Sequence, residues 1–301
     1  MPQSPTLSAL SADIAGVARQ TAPSVVAVSD GGRPLSGFLW RPDIAVFPAE
    51  HLEAKTGDKI EVMLAGSSDP VEGTLVGADP STDVALVRLA QPGTVLTAGQ
   101  AGDPALGEAV VAIGRNEHGA TCAVGFISLS EGPWRSMRGG EISRRVGVDM
   151  RLPRSSEGSA LLNASGDLLG MAVLGPRRRV LLIPLATIER VGQELLTHGR
   201  IRRGYLGVAV RPVPLHQAVA AAAAGEPGLL VLSLDPKGPA ATGGLMQGDI
   251  IVSLDGERVR SPRGLVRRLP GSSIGKAVAL DLIRAGKTAQ VSVSVAEGPA
   301  Q

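Results

Sequence analysis

Apolar residues recur in two rhythms along the chain. Leu7, Leu10, Ile14 and Val17 return every three or four positions, which predicts a short amphipathic helix over 7–19, ended by Pro23. From there to about residue 185 the apolar runs are short, rich in Val, Leu, Ile and Ala, and bounded by Gly, Pro, Asp and Ser. That pattern reads as strands at 25–29, 36–40, 44–47, 59–64, 72–77 and 84–89. A Gly/Pro-rich connector at about 90–108 follows, then strands at 109–113, 123–129, 145–149, 159–162, 167–173 and 180–183. Two equal sets predict a mainly β protein with two barrels or sandwiches of similar size. Helical spacing returns at Ile188, Val191, Leu195 and Leu196, giving a linker helix within 186–200 that Gly199 stops. Residues 201–297 read as a compact α+β module. Its strands are expected at 205–210, 229–234, 250–254, 277–284 and 289–295, with helices near 216–224 and 262–269.

Composition narrows the picture. Aromatic residues are only 2% of the 301, so the core must be aliphatic. Lys and Arg number 30 against 28 Asp and Glu, a net charge of +2 that implies no dedicated nucleic-acid binder. Cys122 is the one cysteine, which excludes an intrachain disulfide and any cysteine-based zinc site. No apolar run approaches the ~18 residues of a membrane helix. The start Met1-Pro2-Gln3 lacks the pattern of a secretory leader. The expected compartment is therefore the cytoplasm if the chain is complete, and outside it if a leader has been removed. Three small motifs carry little chemistry. The stretch from Gly271 to Ala277 is one residue short of a phosphate loop and precedes a strand. His118 and Cys122 are two ligands without a third, and Arg177-Arg178-Arg179 reads as a solvated turn.

Several segments, in order, resemble the HtrA/Deg family, a trypsin-like serine protease domain followed by a PDZ domain. They are Ser36-Gly37-Phe38, the run from Asp79 to Leu86, the run from Asn163 to Gly170, and Ile201 through Val208. Pro239-Ala240-Ala241, Gly244-Leu245 and Gly248-Asp249-Ile250-Ile251 complete the set. The resemblance runs over about 8–296 and implies two six-stranded barrels over 23–185 with a catalytic cleft between them.

A serine protease needs a Ser hydroxyl, a His base, an Asp orienting it and backbone N–H groups for the oxyanion. The family's Asp matches Asp83. Its His position, after an Ala ending the third strand, holds Glu50, and its Ser position holds Glu157. The fallback residues are His51, one residue late, and Ser156 and Ser159, flanking Glu157. Ser155 and Arg154 stand where the oxyanion loop has Gly and Pro, so the N–H array is expected to be distorted. No catalytic residue is therefore expected, and no cofactor. Glu50, Asp83 and Glu157 are expected to converge. They would hold a hard cation such as Ca²⁺, Mg²⁺ or Mn²⁺, share a proton, or turn to solvent and pair with Arg151 or Arg154.

The peptide-binding module keeps the family's loop as Tyr205-Leu206-Gly207-Val208, whose N–H groups are expected to meet a peptide's C-terminal carboxylate. Arg202 and Arg203 favour an anionic terminus, and Leu265, Val266 and Leu269 are expected to form the opposite wall. The reading is a catalytically inactive pseudoprotease that binds C-terminal or extended peptides of other proteins as scaffold, chaperone or regulator, its partners including an active paralogue. The alternatives are an endopeptidase with a displaced Ser–His pair and a cation-binding protein. The family commonly trimerises through aromatic residues near the N-terminus, and this chain's first helix carries none.

Overall fold

The computed structural model describes residues 5–32, 34–96, 99, 102–215 and 227–298. The chain divides into two units, Met1–Ile201 and Arg202–Gln301. The helix expected at 216–224 lies outside the described residues.

In the first unit β1 (Val25–Ser29), β2 (Leu35–Arg41), β3 (Ile44–Phe47), β4 (Lys59–Met63), β5 (Val71–Asp79) and β6 (Val84–Leu89) close a barrel in the order β1-β2-β3-β6-β5-β4. The next strands are β7 (Ala109–Asn116), β8 (Gly119–Glu131), β9 (Trp134–Arg135) and β10 (Glu141–Ile142). After them come β11 (Arg145–Asp149), β12 (Ser159–Asn163), β13 (Leu168–Leu174) and β14 (Val180–Pro184). These form a second barrel, β11-β14-β13-β12-β7-β8, with β9 and β10 as a separate hairpin. The two-residue hairpin strands are too short to leave a periodic trace, and the sequence reading passes over them.

Side-chain alternation explains why some strands are apolar throughout. In β3, Ala45 and Phe47 fill the first barrel while Ile44 and Val46 face a cluster shared with the second. In β6, Ala85, Val87 and Leu89 point inward and Val84 and Leu86 face the second barrel. Strand β12 does the same from the other side, with Leu161 inside its own barrel and Ala160 and Leu162 in the shared cluster. Helix α1 (Pro5–Thr21) packs Ile14, Val17 and Ala18 against that cluster, whereas Leu10, expected on the same face, is exposed. Helix α2 (Leu185–His198) adds Ile188, Val191 and Leu195 to it and touches β5, β6 and β13, strapping the barrels together. Gly199, at φ 68°, ends α2 by donating its N–H to Leu195 O at 2.8 Å. Along β8 the outward positions Ala120, Cys122, Val124 and Phe126 are exposed. Cys122 is a free thiol.

The second unit runs β15 (Gly204–Tyr205), β16 (Val208–Pro214), β17 (Pro227–Leu234), α3 (Pro239–Thr242), β18 (Ile250–Leu254) and β19 (Glu257–Arg258). It continues with α4 (Pro262–Arg267), β20 (Ala277–Arg284), β21 (Lys287–Ser294) and β22 (Ala296–Glu297). The sheet order is β16-β17-β18-β20-β21, with β19 on β18 and β15 on β22. The strand expected over 205–210 is broken at Leu206-Gly207, where Gly207 takes φ 75° and a Cβ would stand 3.2 Å from Gly238 Cα. Gly271–Ser273 forms one short 3₁₀ turn before β20, so the loop-like stretch opens no helix for a phosphate. Asp249, 2% exposed, is clamped by Arg284: Nε donates to Oδ1 at 2.8 Å and Nη2 to Oδ2 at 2.7 Å. Met246 N–H completes its shell at 2.7 Å.

Candidate functional site

The turn before β6 is built by Asp79. Its Oδ1 accepts from Ser81 N at 3.0 Å and Ser81 Oγ at 2.6 Å, and its Oδ2 from Thr82 Oγ1 at 2.7 Å. All three residues are buried, so this local network fixes where the next residue goes. Asp83 is set at φ 60°, the left-handed region that Asp tolerates better than most side chains. Its Oδ1 accepts the N–H of Glu50 at 2.7 Å. Burial pushes the Asp83 carboxyl up to about 7. The Glu50 and Ala49 N–H groups pull it down, and the charges of Glu50 and Glu157 raise it further.

Glu50 follows β3 and turns outward, where Arg138 Nη2 meets its Oε1 at 3.5 Å. Arg138 belongs to the loop between β9 and β10, which Ser136 Oγ ties to Ser81 O at 2.5 Å. Glu157 goes the other way. It is 2% exposed, and its Oε1 accepts the N–H of Leu174 at 3.0 Å. Among the described residues the partners of these acids are Arg138 and a main-chain N–H, in place of Arg151 and Arg154. The reading missed Arg138 because 88 residues separate it from Glu50 and only the hairpin brings them together. Nor do the three carboxylates gather as ligands. Among the described residues no group of three or more His, Cys, Asp or Glu is placed to hold a metal ion.

Both fallback serines are committed. Ser156, 2% exposed, has Oγ 3.0 Å from Thr121 Oγ1, and Ser159, wholly buried, donates its Oγ–H to Ser156 O at 2.5 Å. His51 is exposed and lines an open cleft of about 840 Å³ with Glu157, Arg154 and Arg177, and among the described residues it bonds neither serine. The main chain around Glu157 is turned inward as well. Ser156 N–H donates to Pro153 O at 2.9 Å, Glu157 N–H to Arg154 O at 3.2 Å and Gly158 N–H to Ala172 O at 2.8 Å. Gly158 is required: φ is 96° and a Cβ would stand 1.9 Å from Ser36 O.

In the second unit Tyr205 and Val208 flank the turn at Gly207, and Gly207 O accepts from Asp235 N at 2.8 Å. Leu206, Leu265 and Leu269 do not stand as open walls; they are 3%, 3% and 4% exposed and pack in the unit's core. The exposed apolar side chain on α4 is Val266, at 52%.

Two closed six-stranded antiparallel barrels sharing a core, followed by a separate sheet unit with a glycine turn before its edge strand, define a trypsin-like peptidase fold joined to a PDZ domain. A trypsin-like peptidase domain matches residues 35–171 and a PDZ domain residues 204–295. The chain belongs to the HtrA family. It is 30% identical over 274 residues to a probable periplasmic serine endoprotease, DegP-like, of Brucella suis, covering 88% of this chain and 52% of that protein. The Halomonas elongata relative of the same description is also 30% identical, covering 88% of this chain and 56% of its own. The chain spans about half the length of these curated relatives. Among solved structures, the serine endoprotease of Yersinia pestis superposes with a TM-score of 0.71 at 25% identity, over 99% of this chain and 100% of that one. The HtrA-type protease AlgW with a decapeptide gives 0.72 at 22% identity, over 96% and 99%.

Proposed function

We propose that this HtrA-family chain is a catalytically inactive pseudoprotease that binds peptide tails of other proteins through its PDZ domain, as a scaffold, chaperone or regulator. The observation that carries the first half is Glu157. The residue at the family's serine position is a buried carboxylate tied to Leu174 N–H, and its own N–H donates to Arg154 O. A carboxylate there cannot be deprotonated into an alkoxide nucleophile, and an N–H already spent on a carbonyl is not aimed at an oxyanion. Glu50, at the family's histidine position, is held by Arg138 and takes no part as an imidazole base would. The second half is supported by the preserved turn Tyr205-Leu206-Gly207-Val208 and by the position of β16 at one edge of its sheet.

The test for the first half is labelling with a fluorophosphonate, run beside an active HtrA-type protease on unfolded casein. No label and no cleavage are expected. A label mapped to Ser156 or Ser159 that disappears in His51→Ala would establish a displaced nucleophile and end the pseudoprotease reading. For the second half, tails with a free C-terminal carboxylate are compared with their amides by fluorescence anisotropy. The amide is expected to bind about tenfold more weakly.

A further inference from the structure

The open cleft of about 840 Å³ in the first unit has two unlike walls. The first barrel contributes Val28, Leu35 and Phe47, all buried, with the exposed His51 and Glu53 beside them. The second contributes Leu174 and three arginines. Arg154 comes from the turn before β12, and Arg177 and Arg178 come from the turn between β13 and β14. The carboxylates lining the same space are Asp30, Glu53 and Glu157. Two of these already have main-chain donors. Asp30 Oδ2 accepts from Glu53 N–H at 2.7 Å and Ala54 N–H at 3.4 Å, its Oδ1 accepts from Gly32 N–H at 3.4 Å, and Glu157 holds Leu174 N–H.

Arginines elsewhere in the unit are paired with acids: Arg88 with Asp43, Arg135 with Glu141, Arg145 with Glu131. Arg154, Arg177 and Arg178 are exposed, and among the described residues no hydrogen bond or ion pair engages their guanidinium groups. A guanidinium carries five N–H donors, so this wall of the cleft is rich in donors that no protein acceptor uses. The backbone adds a second observation. Arg177 sits at φ 57°, ψ 26° and Arg178 at φ 58°, in a turn closed by Arg178 N–H to Gly175 O at 3.0 Å and Gly175 N–H to Arg179 O at 2.8 Å. Two successive left-handed residues cost a branched Cβ-bearing chain what they would not cost glycine. The turn itself therefore gives no reason for arginine, and strain of this kind collects where a side chain has work to do.

We infer that this cleft is a binding site for a small soluble phosphate monoester. Its dianionic head meets Arg154, Arg177 and Arg178, and its apolar body lies toward Val28, Leu35 and Phe47. The arginines come from two different turns, so the anion is met from two sides. A phosphate spreads its charge over three oxygens about a tetrahedral centre and suits that arrangement. A carboxylate is planar, and one guanidinium fork satisfies it. Glu53 and Glu157 oppose any anion, and a doubly charged head gains more from three cations than a singly charged one does. The volume falls within the ~300–1,000 Å³ of small-molecule sites. The site lies wholly in the first unit and is independent of peptide binding by the second.

Phenyl phosphate is the probe, titrated calorimetrically into the full chain at neutral pH beside benzoate. Phenyl phosphate is expected to bind with Kd below about 1 mM, and benzoate at least about tenfold more weakly. Arg177→Gly/Arg178→Gly is expected to weaken phenyl phosphate about tenfold while keeping Tm within about 3 °C, because glycine accepts both left-handed positions. Arg154→Gln leaves that turn alone and is expected to weaken it about fivefold. Phosphatidylcholine vesicles containing phosphatidic acid are expected not to displace the ester; displacement would overturn the soluble ligand in favour of a lipid headgroup. Absence of binding, or unchanged affinity in both variants, would overturn the site. Benzoate binding as tightly as phenyl phosphate would overturn the assignment to phosphate.

Discussion

Asp83 sits where three opposing demands meet. It must accept the Glu50 N–H, it is pressed out of water, and it faces Glu50 and Glu157 as like charges, so its carboxyl is pushed up to about 7. A carboxyl whose folded value lies above its unfolded 3.8 keeps its proton longer in the folded chain. Stability from this group is therefore fullest below pH 3.8 and declines as pH rises toward about 7. Asp83→Asn keeps an oxygen for Glu50 N–H, tolerates φ 60° and carries no charge. It is expected to raise the Tm of the first unit by several degrees at pH 8 and to change it little at pH 4, measured by calorimetry at both. At this scale the sequence was informative about identity and silent about partners. The family pattern places Glu50, Asp83 and Glu157 by counting, because strand ends anchor each count. That Glu50 turns out to Arg138 while Glu157 folds in to Leu174 N–H depends on neighbours far away in the chain, which no local spacing encodes.

Elements buried on both faces were the most legible. Strands such as β3 and β13 are continuous apolar runs because each side of the strand meets its own core, and a run of that kind has sharp ends. Elements held by tertiary contacts were not: the β9–β10 hairpin, the β15–β22 pair and the break at Gly207 carry no period. The Gly248-Asp249-Ile250-Ile251 motif, read only as resemblance, has a physical cause in the Arg284 clamp. Burial raises the Asp249 carboxyl, but the Arg284 hydrogen bonds, Met246 N–H and the guanidinium charge together hold it below its usual range. Its stabilising contribution is present above pH 3.8 and is lost only as the pH falls below that. Arg284→Met leaves the Asp249 carboxylate without its clamp and is expected to lower the urea midpoint of the second unit.

Each unit has a core of its own, the first shared by two barrels and α2, the second by the sheet and α4. Independent cores predict two calorimetric transitions, of which Arg284→Met lowers one and Asp83→Asn shifts the other. A single transition displaced by either change would show that the units unfold as one. The outward alternation of β8 gives a way to watch the first unit in solution. A chain with a single thiol, and that thiol on the surface, accepts one maleimide dye at a defined atom and nowhere else. Partial burial raises the thiol's pKa, so alkylation of Cys122 is expected to run slower than that of free cysteine at pH 7 and to accelerate toward pH 9. The dye would be attached beside Thr121, whose hydroxyl meets Ser156 next to Glu157. Its emission would then report, without any engineered cysteine, whether a partner has covered the exposed face of β8.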